Sequence, residues 1–165
     1  MHAKIIIAAA VSMLAASASA APYEAPYALT AVHADFQEQL EEVATTPGEI
    51  GTAARLAAEL MARQNAEQER LVMPLLGHAE IVAAGQALMD VDLRGQAQSL
   101  EAELSQLYEG DVELVGALVE LYAAAENASQ AEITRLAERI IWHETSDVEV
   151  LYPAALPVRS IAQAR

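Results

Sequence analysis

Residues 142–153 read WHETSDVEVLYP, and this stretch contains the pattern from which the fold is predicted. His143 and Asp147 are four residues apart, so on an α-helix their side chains share one face. Apolar residues recur at helical spacing on or beside that face, namely Leu136, Ile140, Val150 and Leu151. The imidazole and the carboxylate are therefore expected to point into a hydrophobic core. Because burying either group alone is costly, the pattern predicts either a bound metal ion or a buried polar network.

The first twenty residues have the composition of an export signal. A short basic start at residues 1–4 precedes an apolar run at 5–16. This run is shorter than the roughly 20 residues that a membrane-spanning helix needs. Ala18-Ser19-Ala20 then supplies the small-residue pattern at which signal peptidases cleave. We therefore predict a signal peptide at 1–20 and a periplasmic or secreted mature protein.

The chain that would remain after cleavage is strongly acidic and contains no cysteine. Its eight arginines, with no lysine, stand against 24 acidic residues, which leaves a net charge near −16. Such a surface repels nucleic acids and anionic lipid headgroups, so neither a nucleic acid nor a membrane is expected as a partner. The lack of cysteine excludes disulfides and thiolate metal sites. The composition is compatible with a metal ion or a small ligand, and it indicates no particular protein partner.

Composition and periodicity together favour an all-α fold. Alanine and leucine dominate, and the β-branched and aromatic runs typical of strands are absent. Four long helices are predicted at about 27–43, 49–73, 93–127 and 129–152. Gly110 is expected to kink the third helix or to split it in two. Ser129 and Glu132 are spaced as a capping box at the start of the last helix.

The chain also contains a weak internal repeat. Residues 55–74, which begin RLAAELMARQ, resemble residues 135–153, which begin RLAERIIWHE. Aligning the initial arginines pairs Arg63 with His143 and Glu67 with Asp147. Aligning the final prolines instead places Gln64 and Gln68 at those two positions. Two similar helix pairs are what an up-down-up-down four-helix bundle requires.

This layout resembles the hemerythrin-like (hemerythrin cation-binding) domain family. In that family, an inward His on one helix is followed by a helix that ends His-x-x-x-Glu shortly before a proline, and the arrangement occurs twice. The closest local match is VEVLYPAAL at 148–156, and the resemblance covers residues 29–156. It implies a four-helix bundle with two iron ions bound by histidines and carboxylates. Residues 21–28 would then be an N-terminal arm and 157–165 a C-terminal tail.

Carried over position by position, the resemblance gives a set of metal ligands. These candidates are His33, Glu67, Asp111, His143 and Asp147. The chain departs from the family because only three histidines remain after residue 20, and His78 is expected in an exposed loop. Arg63, which cannot donate a lone pair, stands where the arginine-anchored alignment expects a histidine.

Three functional interpretations follow from this reduced ligand set. The first is an exported, non-enzymatic protein that binds one ion of Fe, Mn or Zn weakly through the core His and carboxylate groups, or is metal-free. The second is a structural or interaction module in which Arg63 neutralises buried carboxylates. The third is oxygen or peroxide chemistry at a residual iron.

Overall fold

The computed structural model of the protein describes residues 27–77 and 93–156, which are all-helical with no β-strand among them. The predicted all-α class is therefore confirmed for these ranges. The predicted signal peptide at 1–20, nearly all of the arm at 21–28, His78 and the tail at 157–165 lie outside the described residues.

The first two helices are α1, Tyr27–Val43, and α2, Glu49–Leu71. The predicted bounds of α1 are confirmed, whereas α2 ends two residues early and residues 73–77 resume a helical conformation. The link between α1 and α2 ends at Gly48, whose φ of 86° is a value that residues with a Cβ rarely adopt. Glycine at this position lets the chain turn sharply into α2.

The third helix, α3, runs over Leu93–Asn127 and passes Gly110 without interruption. Its predicted bounds are confirmed, and the alternative of a split at Gly110 is wrong. The turn that follows is a Schellman motif, in which a residue with positive φ ends the helix. Ser129 has a φ of 57° and donates its N–H to the carbonyl of Glu126 at 2.9 Å. The N–H of Gln130 donates to the carbonyl of Ala125 at 2.8 Å.

This turn overturns the predicted capping box. The fourth helix, α4, covers Ala131–Ser146, and Gln130 precedes it without a side-chain cap. Ser129 ends α3 instead of starting α4, and Glu132 pairs with Arg135. The sequence pattern failed here because the same serine can serve either helix end.

After α4 the chain forms a π-helix at Asp147–Leu151 and a short helix, α5, at Tyr152–Ala155. The N–H of Tyr152 donates to the carbonyl of Asp147, five residues back. Pro153 favours this change because it has no N–H and its ring clashes with the carbonyl four residues earlier. The wider turn shifts the inward face by one residue. Tyr152 is therefore buried, whereas Val150, which the helical pattern placed on the inner side, is exposed.

The helices enclose two apolar clusters with a band of polar side chains between them. Helix α2 packs against α1 and α3, and α4 packs against α3 and more sparsely against α1. One cluster includes Leu40, Met61, Leu118 and Ile140. The other includes Leu71, Leu100, Leu107 and Tyr152. Among the described helices, none combines the length and the apolar character that crossing a membrane requires.

Six polar residues are buried in the described part of the chain. Five of them fall between the two clusters along the chain, and His33 precedes the α1 residues of the first cluster. We call these six residues the polar layer, whose members are His33, Gln64, Gln68, Asp111, Glu144 and Asp147. On α2 the layer follows Met61 and precedes Leu71, and on α3 it lies between Leu107 and Leu114. The four long helices thus each contribute at least one polar side chain to the same level of the core.

Candidate metal centre

Two imidazoles and one carboxylate converge at the edge of the polar layer. The Nε2 of His33 lies 3.3 Å from Asp147 Oδ2, and the Nε2 of His143 lies 3.8 Å from the same oxygen. One ligand atom from each of the three residues lies within 4.8 Å of the other two, a spacing that a single metal ion can bridge. Neither Nε2 atom makes a hydrogen bond within the part of the chain that the structure describes. We call His33, His143 and Asp147 the histidine cluster.

Helix geometry accounts for the position of each member. His143 and Asp147 are four residues apart, as the sequence analysis predicted, and both point inward near the end of α4. His33 approaches from α1, and its ring meets that of His143 edge-on with 5.0 Å between centroids. Phe36, one turn further along α1, packs edge-on against His143 at 5.4 Å. The rings are therefore held by aromatic packing, while their Nε2 atoms face Asp147 without a hydrogen bond.

A hydrogen-bonded network centred on Tyr152 occupies the rest of the layer. The Nε2 of Gln64 lies 2.6 Å from Asp111 Oδ1 and 2.9 Å from the hydroxyl of Tyr152, and it can donate to both. That hydroxyl donates to Asp111 Oδ1 at 3.1 Å and accepts from the Nε2 of Gln68 at 3.0 Å. Gln68 Nε2 also lies 3.3 Å from Asp147 Oδ2. The network therefore joins Asp111 to the histidine cluster.

Gly110 lies within the continuous helix α3, directly against this network. A Cβ at residue 110 would overlap the Oε1 of Gln64. Only glycine allows the amide of Gln64 to lie against α3 while its nitrogen donates to Asp111. Close approach of a side chain is thus the reason for the glycine that the sequence analysis interpreted as a helix breaker.

Electrostatics show that the layer is short of positive charge. Burial raises the pKa of Asp111 to about 7, although hydrogen bonds from Tyr152 and Gln64 oppose the shift. Burial also raises the pKa of Glu144 to about 8, and the charges of Asp147 and Asp111 add to the effect. Burial lowers the pKa of His143, which favours the neutral imidazole that binds metals. None of the arginines whose side chains the structure describes is buried, namely Arg55, Arg63, Arg70, Arg135 and Arg139. Protons or a bound cation would therefore have to balance these carboxyl groups.

The structure places four of the five predicted ligands in this layer and excludes the fifth. His33, His143 and Asp147 form the histidine cluster, and Asp111 is buried beside it in the Tyr152 network. Glu67 does not point into the layer as expected, since this residue is only half-buried and pairs with Arg70. Helical phase explains the error, since an inward Gln64 and Gln68 leave Glu67 turned away from the core.

The expected role of Arg63 is also wrong. Its side chain is 61 % exposed and binds Glu113 at 2.9 Å, so it neutralises no carboxylate of the layer. The proline-anchored alignment, with Gln64 and Gln68 inward, is therefore the register that the structure supports. The interpretation of a buried network around Arg63 is overturned by the same observation.

Sequence reasoning missed two functional groups. Glu144 is almost fully buried, yet it stands next to His143 in a stretch where only every third or fourth residue was expected inside. Two adjacent inward residues occur because α4 faces both α1 and α3. Tyr152 was missed because the π-helix rotates it inward, and Pro153 was the available signal for that change.

Comparison of the chain with protein-family models, with curated proteins and with solved structures finds no match. The geometry and chemistry of the polar layer are therefore the features from which a function can be inferred.

Proposed function

We propose that this protein binds one divalent transition-metal ion through His33, His143 and Asp147. The observation that carries the proposal is the pair of buried Nε2 atoms that flank the carboxylate of Asp147 without a hydrogen bond. The proposal is supported further by the arginines whose side chains are described, since none of them is buried beside these carboxylates. Burying such groups without a partner is costly, and a metal ion would offset that cost.

The donor set favours particular metals and one ion per chain. Two imidazoles with carboxylate oxygens suit Fe²⁺, Mn²⁺ or Zn²⁺. A site for two ions needs more donors than these, and Asp111 Oδ1 already accepts hydrogen bonds from Gln64 and Tyr152. The residues present therefore fit a single ion and fit the two-iron centre of the hemerythrin-like family poorly.

The proposed architecture is a hemerythrin-like, up-down-up-down four-helix bundle. The order of core residues supports it: α1 runs from the polar layer to the first apolar cluster, α2 returns through the layer to the second, and α3 and α4 repeat the alternation.

We propose a non-enzymatic role for the protein. Export to the periplasm or beyond belongs to the same proposal and rests on the pattern of residues 1–20.

Metal titration of purified protein, stripped with a chelator, tests the proposal. We expect about one ion of Zn²⁺ or Fe²⁺ per chain by calorimetry and by elemental analysis after dialysis. Asp147→Asn or His143→Gln should weaken binding by at least about tenfold, since even groups behind the ligands contribute this much. Glu67→Gln is the matched control and should leave the affinity unchanged, because Glu67 pairs with Arg70 outside the layer.

Two results would contradict the proposal. One is the finding of two tightly held ions per chain. The other is the absence of binding for all three metals, which would favour the structural or interaction role. That alternative is supported by the Tyr152 network, whose hydrogen bonds join α2, α3 and the segment after α4 without any ion.

A further inference from the structure

A narrow cleft between α2 and α3 leads from the surface to the polar layer. Its volume is about 160 Å³, and Gln64 and Gly110 line its inner part. Since Gly110 has no side chain, nothing but the amide of Gln64 fills the space where a Cβ would lie. Gln64 itself is only 3 % exposed, so it forms the inner end of the cleft.

From this amide a continuous series of polar atoms reaches the histidine cluster. Gln64 Nε2 lies 2.6 Å from Asp111 Oδ1, which lies 3.1 Å from the Tyr152 hydroxyl. Gln68 Nε2 then lies 3.0 Å from that hydroxyl and 3.3 Å from Asp147 Oδ2. Asp111 Oδ2 and Gln68 Oε1 make no hydrogen bond within the described residues. Oxygen atoms of Asp111, Tyr152, Gln68 and Asp147 therefore recur along the route from the cleft to the histidine cluster.

The mouth of the cleft is acidic. Glu67, Glu109 and Glu113 line it together with Arg63, so three carboxylates face one guanidinium. Glu113 is held by Arg63 at 2.9 Å, and Glu67 is held by Arg70. A negatively charged cleft with low-dielectric walls concentrates cations and raises their association rate.

We propose that this cleft is the access path by which a divalent metal ion reaches the histidine cluster, with the side chain of Gln64 moving aside to admit it. The inference rests on the metal binding proposed above. The competing path is the edge of His143, whose side chain is 19 % exposed. Glu109 and Glu113 should influence the rate of metal uptake if the ion enters through the cleft. They should not influence it if the ion enters beside His143.

Stopped-flow uptake of Co²⁺ by the full chain, at low ionic strength, separates the paths. Trp142, the only tryptophan of the chain, stands next to His143 and reports binding through quenching of its fluorescence. The double variant Glu109→Gln/Glu113→Gln removes two charges from the mouth of the cleft and also frees Arg63. The matched control Glu120→Gln/Glu126→Gln removes two exposed charges from the same helix, away from the cleft.

If the cleft is the path, the first double variant should bind Co²⁺ about threefold to tenfold more slowly than the control. Its dissociation should slow as well, with the Kd within about twofold, because entering and leaving ions pass the same mouth. Added salt should reduce the difference in rates. Equal uptake rates in the two double variants would overturn the access path while leaving the metal site in place. Absence of Co²⁺, Zn²⁺ and Fe²⁺ binding in the parent protein would overturn both.

Discussion

Gly110 and Gly116 occupy the same helix but different surroundings, and this difference gives a residue-scale prediction. Replacing glycine by alanine inside a helix normally stabilises it by about 1 kcal/mol. Gly116→Ala should show this gain, because nothing lies within 4 Å of the added Cβ. Gly110→Ala should instead destabilise the protein, because the Cβ displaces Gln64 from Asp111 and Tyr152.

Losing a buried hydrogen-bond partner costs roughly 1–3 kcal/mol, which outweighs the helix-propensity gain. The free energies of unfolding in urea should therefore move in opposite directions for the two variants. Equal stabilisation by both substitutions would show that Gly110 is not required by the position of Gln64.

Glu144 gives a second residue-scale prediction, concerning pH. Its pKa is about 8 in the folded protein, chiefly because of burial, against an ordinary value of 4.5. Between these values the folded state keeps a proton that the unfolded state has lost, so the stability contributed by this group falls as pH rises. Glu144→Gln removes the effect and should stabilise the metal-free protein more at pH 8 than at pH 5.

Urea unfolding at the two pH values, with chelator present, measures this change. The titrations of His143 and Asp111 are present in parent and variant alike, so the difference reports Glu144 together with its interaction with Asp111. Glu138→Gln, an exposed substitution on the same helix, is the control. The raised pKa of Glu144 would be contradicted if the stability difference between parent and Glu144→Gln did not vary with pH.

At the scale of elements, the Schellman turn predicts the sign of a substitution. Ser129 adopts a positive φ, which costs roughly 1 kcal/mol for a residue with a Cβ. Ser129→Gly should therefore raise the unfolding free energy by about that amount. If Ser129 were part of a capping box, Ser129→Gly would lower the unfolding free energy instead, since loss of a serine cap destabilises a helix by about 1 kcal/mol. Thermal unfolding of Ser129→Gly distinguishes the Schellman turn from the capping box. A lowered melting temperature would show that Ser129 caps α4.

The helices themselves were predictable because their apolar residues repeat with a clear period. The bounds of α1 and α3 follow from Pro26 and from the long leucine series of α3. The rotation of each helix about its axis was harder to predict, and this rotation determines which residues form the site. The repeat allowed two registers one residue apart, and that single step exchanges Arg63 for Gln64 and Glu67 for Gln68. The π-helix after Asp147 then changes the phase again, which no regular period could reveal.

At the scale of the whole molecule, the polar layer interrupts an otherwise apolar core. Apolar clusters lie on either side of it, and a buried polar atom without a hydrogen bond carries an energetic cost. The Tyr152 network satisfies part of the layer by linking α2, α3 and the segment that follows α4. Helix α1 contributes only His33 to the layer's buried polar set, and it packs sparsely against α4. The histidine cluster therefore lies where α1 and α4 pack sparsely against each other.

Metal binding should consequently stabilise α1 most. An ion held by His33 on α1 and by His143 and Asp147 on or just after α4 joins these two elements directly. Saturating Zn²⁺ at about 100 times its Kd would stabilise the folded state by about 2.7 kcal/mol. Hydrogen exchange at the amides of α1 should slow on adding Zn²⁺, with a smaller change in α3. His33→Gln should abolish the slowing while Glu67→Gln preserves it, because only His33 connects α1 to the cluster. Slowing of equal size in α1 and α3, or in the His33→Gln variant, would place the ion elsewhere in the protein.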